Sequence, residues 1–127
     1  MTTIKLLLLT LLLHFIADFT LQGVLADMKQ QQWWNKLLRD AIIPCKIRYE
    51  HDWICGLICH ALYWTLATFS PLLWLTKNLW TISFIVLGNT AIHVVIDHLK
   101  CNRYKINLWQ DQLLHLAQIL ATCLIVG

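Results

Sequence analysis

Long uncharged apolar stretches alternate with short basic connections along this chain. Trp53 to Thr76 and Asn78 to Ile96 each run without an Asp, Glu, Lys or Arg, and uncharged apolar runs of about 18 residues or more have the length of a bilayer crossing. The stretches 4–26 and 106–126 are apolar apart from isolated polar positions. The pattern predicts four spans, about 4–26, 53–75, 79–99 and 106–126, each able at about 1.5 Å per residue to cross about 30 Å of hydrocarbon. The connections at Lys77–Asn78 and Lys100–Lys105 fit only antiparallel hairpins. The predicted fold class is therefore all-α: an integral membrane four-helix bundle forming a single domain over 1–127. No small-residue cleavage site follows the run Leu6 to Leu13, so the first stretch reads as a retained span rather than a signal peptide.

Between the first two spans, residues 28–52 form a loop with its own pattern. Trp34, Leu37, Leu38, Ala41 and Ile42 share one helical face, and Asn35, Lys36, Arg39 and Asp40 the other. This predicts a short amphipathic helix lying on a membrane surface and stopped at Pro44. Pro71 predicts a kink near the far end of the second span. Trp33, Trp34, Trp53 and Trp109 mark one membrane interface, Trp74 and Trp80 the other.

Charge sets the orientation. Eight of the ten Lys and Arg residues (Lys29, Lys36, Arg39, Lys46, Arg48, Lys100, Arg103 and Lys105) fall on one side of the four spans, and only Lys5 and Lys77 on the other. The positive-inside rule then places both basic loops in the cytoplasm and both termini outside, as in a multi-pass protein of a bacterial inner membrane. The net charge of +3 reads as topology rather than as a nucleic-acid footprint, so the expected partner is the lipid bilayer and nucleic acid is set aside. Composition agrees: 58% of residues are apolar and 13% charged, far from a soluble domain. The five cysteines are odd in number and form no Cys-x2-Cys pair. They indicate neither a disulfide framework nor a zinc knuckle, and Cys55 with Cys59 lacks further thiols for a metal.

Ionisable groups inside spans are costly and usually functional. Asp18, Asp97, Asp111, His14, His60, His93 and His115 all fall there, six of them as His14-x3-Asp18, His93-x3-Asp97 and Asp111-x3-His115. Residues four apart share a helical face, so three helices each present an imidazole and a carboxylate. Counted from the cytoplasmic ends, all seven lie about 3–18 Å deep, in one band, and the outer half offers nothing comparable. Oxygen and nitrogen donors without thiolate suit a divalent metal such as Zn, Mn or Fe. The seven are candidate ligands, with Asp18, Asp97 and Asp111 also candidate catalytic carboxylates and the surplus left to orient ligands. His60 stands alone and reads equally as a strut to Tyr63 or to a neighbouring helix. His98 points about 100° away from Asp97 and reads as interfacial, His51 as solvated. Gln22, Gln112 and Lys100 are candidate substrate-binding groups; the two amides read also as interface anchors, and Lys100 either as an anchor for an anionic headgroup or as a solvated topology charge.

The motifs His14-Phe-Ile-Ala-Asp18-Phe-Thr-Leu-Gln22, His60, His93-Val-Val-Ile-Asp97-His-Leu-Lys100 and Asp111-Gln112-Leu-Leu-His115 resemble, in order and spacing, a family of small bacterial and phage membrane proteins known as domain of unknown function 3307. The resemblance covers all four spans. It implies that the polar residues act as one unit, and it leaves their purpose open. The tryptophan-rich loop looks like an enlargement over the family's shorter connection.

The leading functional expectation is a metal-dependent membrane hydrolase acting on a phosphate- or ester-bearing lipid from the cytoplasmic leaflet. A proton or metal-ion conductor is the alternative, weakened by the scarcity of polar groups in the outer half of the first and fourth spans. Haem held by two facing histidines and a purely structural or phage-accessory bundle are further readings.

Overall fold

The leucine-rich start of the chain forms α1 (Thr3–Phe15), which passes into a π-helical turn at Ile16–Thr20. The computed structural model describes residues 3–126, and helix is the only regular structure among them. This first rod ends earlier than the pattern of apolar residues predicts. Gly23 adopts φ +51°, a conformation open to glycine and costly for other residues, and the chain turns there into the short α2 (Leu25–Met28).

The loop that follows holds two helices where one amphipathic helix is expected: α3 (Gln31–Leu37) and α4 (Ile43–Tyr49). Pro44 starts α4 rather than stopping α3, because a missing N–H and a fixed φ suit the first turn of a helix. Leu37, Ile42, Ile43 and Ile47 remain exposed.

Helix α5 (Asp52–Thr68) is interrupted at Phe69 and resumes as α6 (Ser70–Leu75), with Pro71 in its first turn, so the proline acts where the sequence places it. Asn78 then caps α7 (Leu79–Ser83), its Oδ1 accepting from the backbone of Trp80 and Thr81. A second π turn, Phe84–Gly88, joins α7 to α8 (Asn89–Cys101) in one unbroken rod, and α9 (Leu108–Val126) ends the described chain. Helices α1, α5, α8 and α9 touch in a ring, each against two neighbours, and α2 lies across α5.

Of the four predicted spans, one is by itself long and apolar enough to cross a membrane: Leu79–Cys101, 23 residues with a mean hydropathy of 1.8. The others fall short for visible reasons. The first rod stops before Gly23, the second breaks after 17 residues, and α9 carries Gln110, Asp111, Gln112, His115 and Gln118 among its apolar residues.

The ring is polar inside and apolar outside. Thr10, His14, His60, Asn89, His93, Asp97, Asp111, His115, Gln118 and Thr122 are buried, while Leu8, Leu12, Ile58, Leu66, Val95, Leu113 and Leu124 are exposed. At the end of the ring where α1 begins, Leu6, Phe69, Leu72, Ile85, Ile119 and Cys123 pack into an apolar cap. At the other end the helices hold the ionisable groups.

Candidate metal centre

Four imidazoles and two carboxylates meet inside the ring at the end opposite the apolar cap. The i, i+4 spacing does what the sequence predicts on α8 and α9: His93 Nε2 lies 3.5 Å from Asp97 Oδ2 and His115 Nε2 3.4 Å from Asp111 Oδ1. Between helices, His60 Nε2 is 3.1 Å from Asp97 Oδ2 and 3.3 Å from His93 Nε2, and His115 Nε2 is 3.6 Å from Asp97 Oδ1. His60 is thus part of the cluster, its polar contacts running to the neighbouring α8 rather than to Tyr63.

Two groups of donors result, His60–His93–Asp97 and Asp97–Asp111–His115, all buried and either able to hold a metal ion. Asp97 belongs to both and turns one oxygen to each. Donors arranged tetrahedrally about 2.0–2.1 Å from a zinc ion lie about 3.3–3.4 Å from one another, and the separations above scatter around that value.

The third pair behaves differently. His14 has both ring nitrogens engaged: Trp64 Nε1 donates to Nδ1 at 3.0 Å, so Nε2 carries the proton and donates to Gln112 Oε1 at 3.2 Å. The Gln112 amide in turn donates to Asp18 Oδ2 at 2.8 Å and Asp111 Oδ2 at 3.1 Å. Gln22 donates to Asp18 Oδ1 at 3.1 Å. His14 and Asp18 therefore sit beside the donor groups, linked to them through Gln112, and belong to neither group. The expected chelating pair on the first helix is split because Asp18 lies in the π turn, which departs from α-helical register.

Two residues central to the site escape the sequence reading. Lys29, counted there among the loop charges, has only 6% of its side-chain surface exposed, and its ammonium donates to Asp97 Oδ2 at 2.7 Å and lies 3.0 Å from His60 Nε2. Its backbone is held from both sides. Asn102 Nδ2 donates to the Lys29 carbonyl at 3.0 Å while Asn102 Oδ1 accepts from Gln31 N at 2.7 Å. On α5, one turn before His60, Gly56 leaves room for the Met28 carbonyl, which any Cβ there would strike. The second is Trp64, fully buried, stacked on the His93 ring at 4.2 Å and 5.2 Å from that of His115. The signal for it is its place four residues after His60.

Lys100, expected to be free for a headgroup, is bound to Asp111 Oδ2 at 2.6 Å, with 27% of its side chain exposed. With neutral imidazoles the centre balances two carboxylates, Asp97 and Asp111, against two ammonium groups, Lys29 and Lys100. A divalent cation makes it net positive, an environment that favours an anion beside it. His93 and His115 stack face to face, centroids 4.3 Å apart, which leaves no gap between them for a porphyrin. His98 stacks on Trp53 and accepts from Arg103 Nε, outside the cluster, and His51 is exposed. Cys55 and Cys59 lie 4.0 Å apart as exposed free thiols.

The half of the ring away from this centre is more polar than the sequence suggests. Gln118 Nε2 donates to both oxygens of Asn89 at 2.8 and 2.9 Å, and Thr122 Oγ1 donates to Asn89 Oδ1 at 3.0 Å. Thr10, Thr65 and Thr68 are also fully buried.

Compared with known proteins, the chain matches no family model, no curated protein and no solved structure.

Proposed function

We propose that the chain is a metal-dependent hydrolase embedded in a membrane, acting on an anionic, phosphate- or ester-bearing lipid. The observation that carries this reading is the meeting of His60, His93, Asp97, Asp111 and His115, from three helices, as two buried donor groups sharing Asp97. Buried carboxylates and imidazoles are disfavoured without a counter-charge or a ligand. A divalent metal there would bring the pKa of its bound water toward about 7 and supply a nucleophile at neutral pH.

The chain's own groups then have separable parts. Asp97 and Asp111 offer carboxylates to accept a proton, His14 and Gln112 fix the orientation of Asp111, and Lys100 at the margin holds positive charge near an incoming anion. Beside them, Phe15, Phe19, Leu108, Trp109, Leu113 and Leu116 line an apolar groove of about 300 Å³, to which Gln112 adds only the carbon part of its side chain.

The bilayer setting is supported by the apolar outer face of the ring around a polar interior, the inverse of a soluble domain, and by the Leu79–Cys101 rod. In this setting the basic connections face the cytoplasm. The motif resemblance to domain of unknown function 3307 fits the same picture.

The test is to purify the protein in detergent, measure its metal content by element and assay release of a fluorogenic phosphate ester and turnover of anionic phospholipid vesicles. Metal-dependent turnover abolished by Asp97→Ala and His115→Ala is the expected result. Metal-free protein, or turnover unaffected by both variants, overturns the reading.

A second reading, proton transfer through the ring, is favoured by the buried Asn89–Gln118–Thr122 network that continues beyond the histidines. The apolar cap of Leu6, Phe69, Leu72 and Ile85 closes that path, which ranks it below hydrolysis. Proton flux in proteoliposomes checks it.

A further inference from the structure

The two donor groups that share Asp97 are not equivalent. On the Oδ2 side, the Lys29 ammonium already sits against Asp97 and His60, at hydrogen-bond distance from both. On the Oδ1 side nothing does so. His115 Nε2 and Asp111 Oδ1 are fully buried, face each other at 3.4 Å, and neither has a further hydrogen-bond partner. Buried polar atoms without further partners call for an explanation, a bound ion among them. His60 Nδ1 and His93 Nδ1 also lack partners, but it is the Nε2 atoms of those rings that face Asp97, whereas His115 Nε2 is itself turned to Asp97 Oδ1. Asp111 meanwhile has its other oxygen held by Lys100 and Gln112, which aims Oδ1 at the open side.

We infer that a single divalent cation binds between Asp97 Oδ1, Asp111 Oδ1 and His115 Nε2, and that the Lys29 ammonium is the fixed second cation on the opposite side of the Asp97 carboxylate. The inference rests on the metal reading proposed above and says which donor group takes the ion. Three protein ligands leave a fourth position for water or substrate, the arrangement of catalytic rather than closed structural sites. In two-metal centres the cations stand about 3.5–4 Å apart and neutralise a transferring group from both sides. Here an amine carried by the chain performs one half of that task, delivered to its place by the Gly56 notch and the Asn102 clamp. His60 then serves Lys29 and not the metal, its Nε2 accepting from the ammonium, while His93 braces His60 and Asp97 Oδ2.

The experiment is metal stoichiometry of the full chain in detergent micelles, titrated separately with ZnCl2 and MnCl2. The expected result is one ion per chain for the wild type, retained in His60→Ala and lost in His115→Ala and in the milder His115→Gln. Lys29→Met, which frees the His60–His93–Asp97 group, is expected to bind two ions, with spin-coupled Mn(II) in its electron paramagnetic resonance spectrum. Size-exclusion profiles and far-ultraviolet circular dichroism establish that each variant is folded. Should Lys29→Met fail to fold, the three comparisons without it decide.

Two ions in the wild type, or one ion lost with His60→Ala and kept with His115→Ala, overturns the assignment, as does a folded Lys29→Met that still takes one. A protein that binds its single ion at His115 yet hydrolyses nothing overturns the hydrolase reading and supports the assignment. No ion in any variant overturns both.

Discussion

The ammonium of Lys29 lies closer to Asp97 than any histidine does, 2.7 Å from Oδ2 against 3.1 Å for His60. A loop residue thus supplies the principal counter-charge of a carboxylate buried on α8. Removing one partner of a buried ion pair strands the other and costs about 3–5 kcal/mol. Lys29→Met is therefore expected to lower the midpoint of thermal unfolding sharply in the presence of a chelator. Added Zn2+ or Mn2+ is expected to restore much of the loss, since ligand binding to the folded state stabilises it. Differential scanning calorimetry with and without metal checks this.

Gly56 controls where Lys29 arrives. A methyl group at this position meets the Met28 carbonyl, and α2 has to lift from α5 to admit it. Gly56→Ala is expected to destabilise the protein by about 1–3 kcal/mol, as overpacking does. It is also expected to make Lys29 reactive toward an amine-labelling reagent, whereas the wild-type amine stays protected. Mass spectrometry of labelled peptides gives the readout.

Gln112 joins His14, Asp18 and Asp111 through one amide. Gln112→Leu leaves buried partners unsatisfied at about 1–3 kcal/mol each. The expected outcome is lowered stability together with weaker metal binding, because Asp111 loses one of the two groups holding its Oδ2. Gln112→Glu places a third carboxylate beside Asp18 and Asp111 and is expected to be worse. Calorimetry and metal titration of both variants check the order.

Ile58 and Val95 project outward from the middle of α5 and α8. On a soluble surface Ile58→Lys or Val95→Lys would change stability by less than about 0.5 kcal/mol. In a bilayer each is expected to disfavour insertion, by up to about 2.5–3.5 kcal/mol at the centre of a span and by less toward its cytoplasmic end. Glycosylation-mapped insertion into microsomes separates the two cases, and unchanged insertion of both variants would contradict the bilayer setting.

How much of this was legible in the sequence depends on whether a partner lay nearby in the chain. His93 with Asp97 and Asp111 with His115 are four residues apart on uninterrupted helix, so helical geometry alone aims each pair inward. The same spacing misleads at His14 and Asp18, where a π turn falls between the helix and the carboxylate. Lys29 was unreadable because its partners lie 31 and 68 positions away and its approach depends on a backbone notch at Gly56. Gln118 and Thr122 looked like isolated polar residues on an apolar helix, and only their bonds to Asn89 on α8 make them a network. The ends of the first two spans were misplaced by local chemistry that apolar content does not report: Gly23 at positive φ and the break at Phe69.

The π turn at Phe84–Gly88 makes the longest rod two segments out of phase. Deleting one residue there would restore continuous α-helix and swing the upper segment by about 100° relative to the lower. The lower segment, gripped by His60, Lys29 and α9, would keep its station, while Leu79, Trp80 and Ile85 would trade places around the axis. The wide turn thus sets which side of the upper segment meets the cap, holding Ile85 against Leu6, Phe69 and Leu72 while Leu79 and Trp80 stay outside.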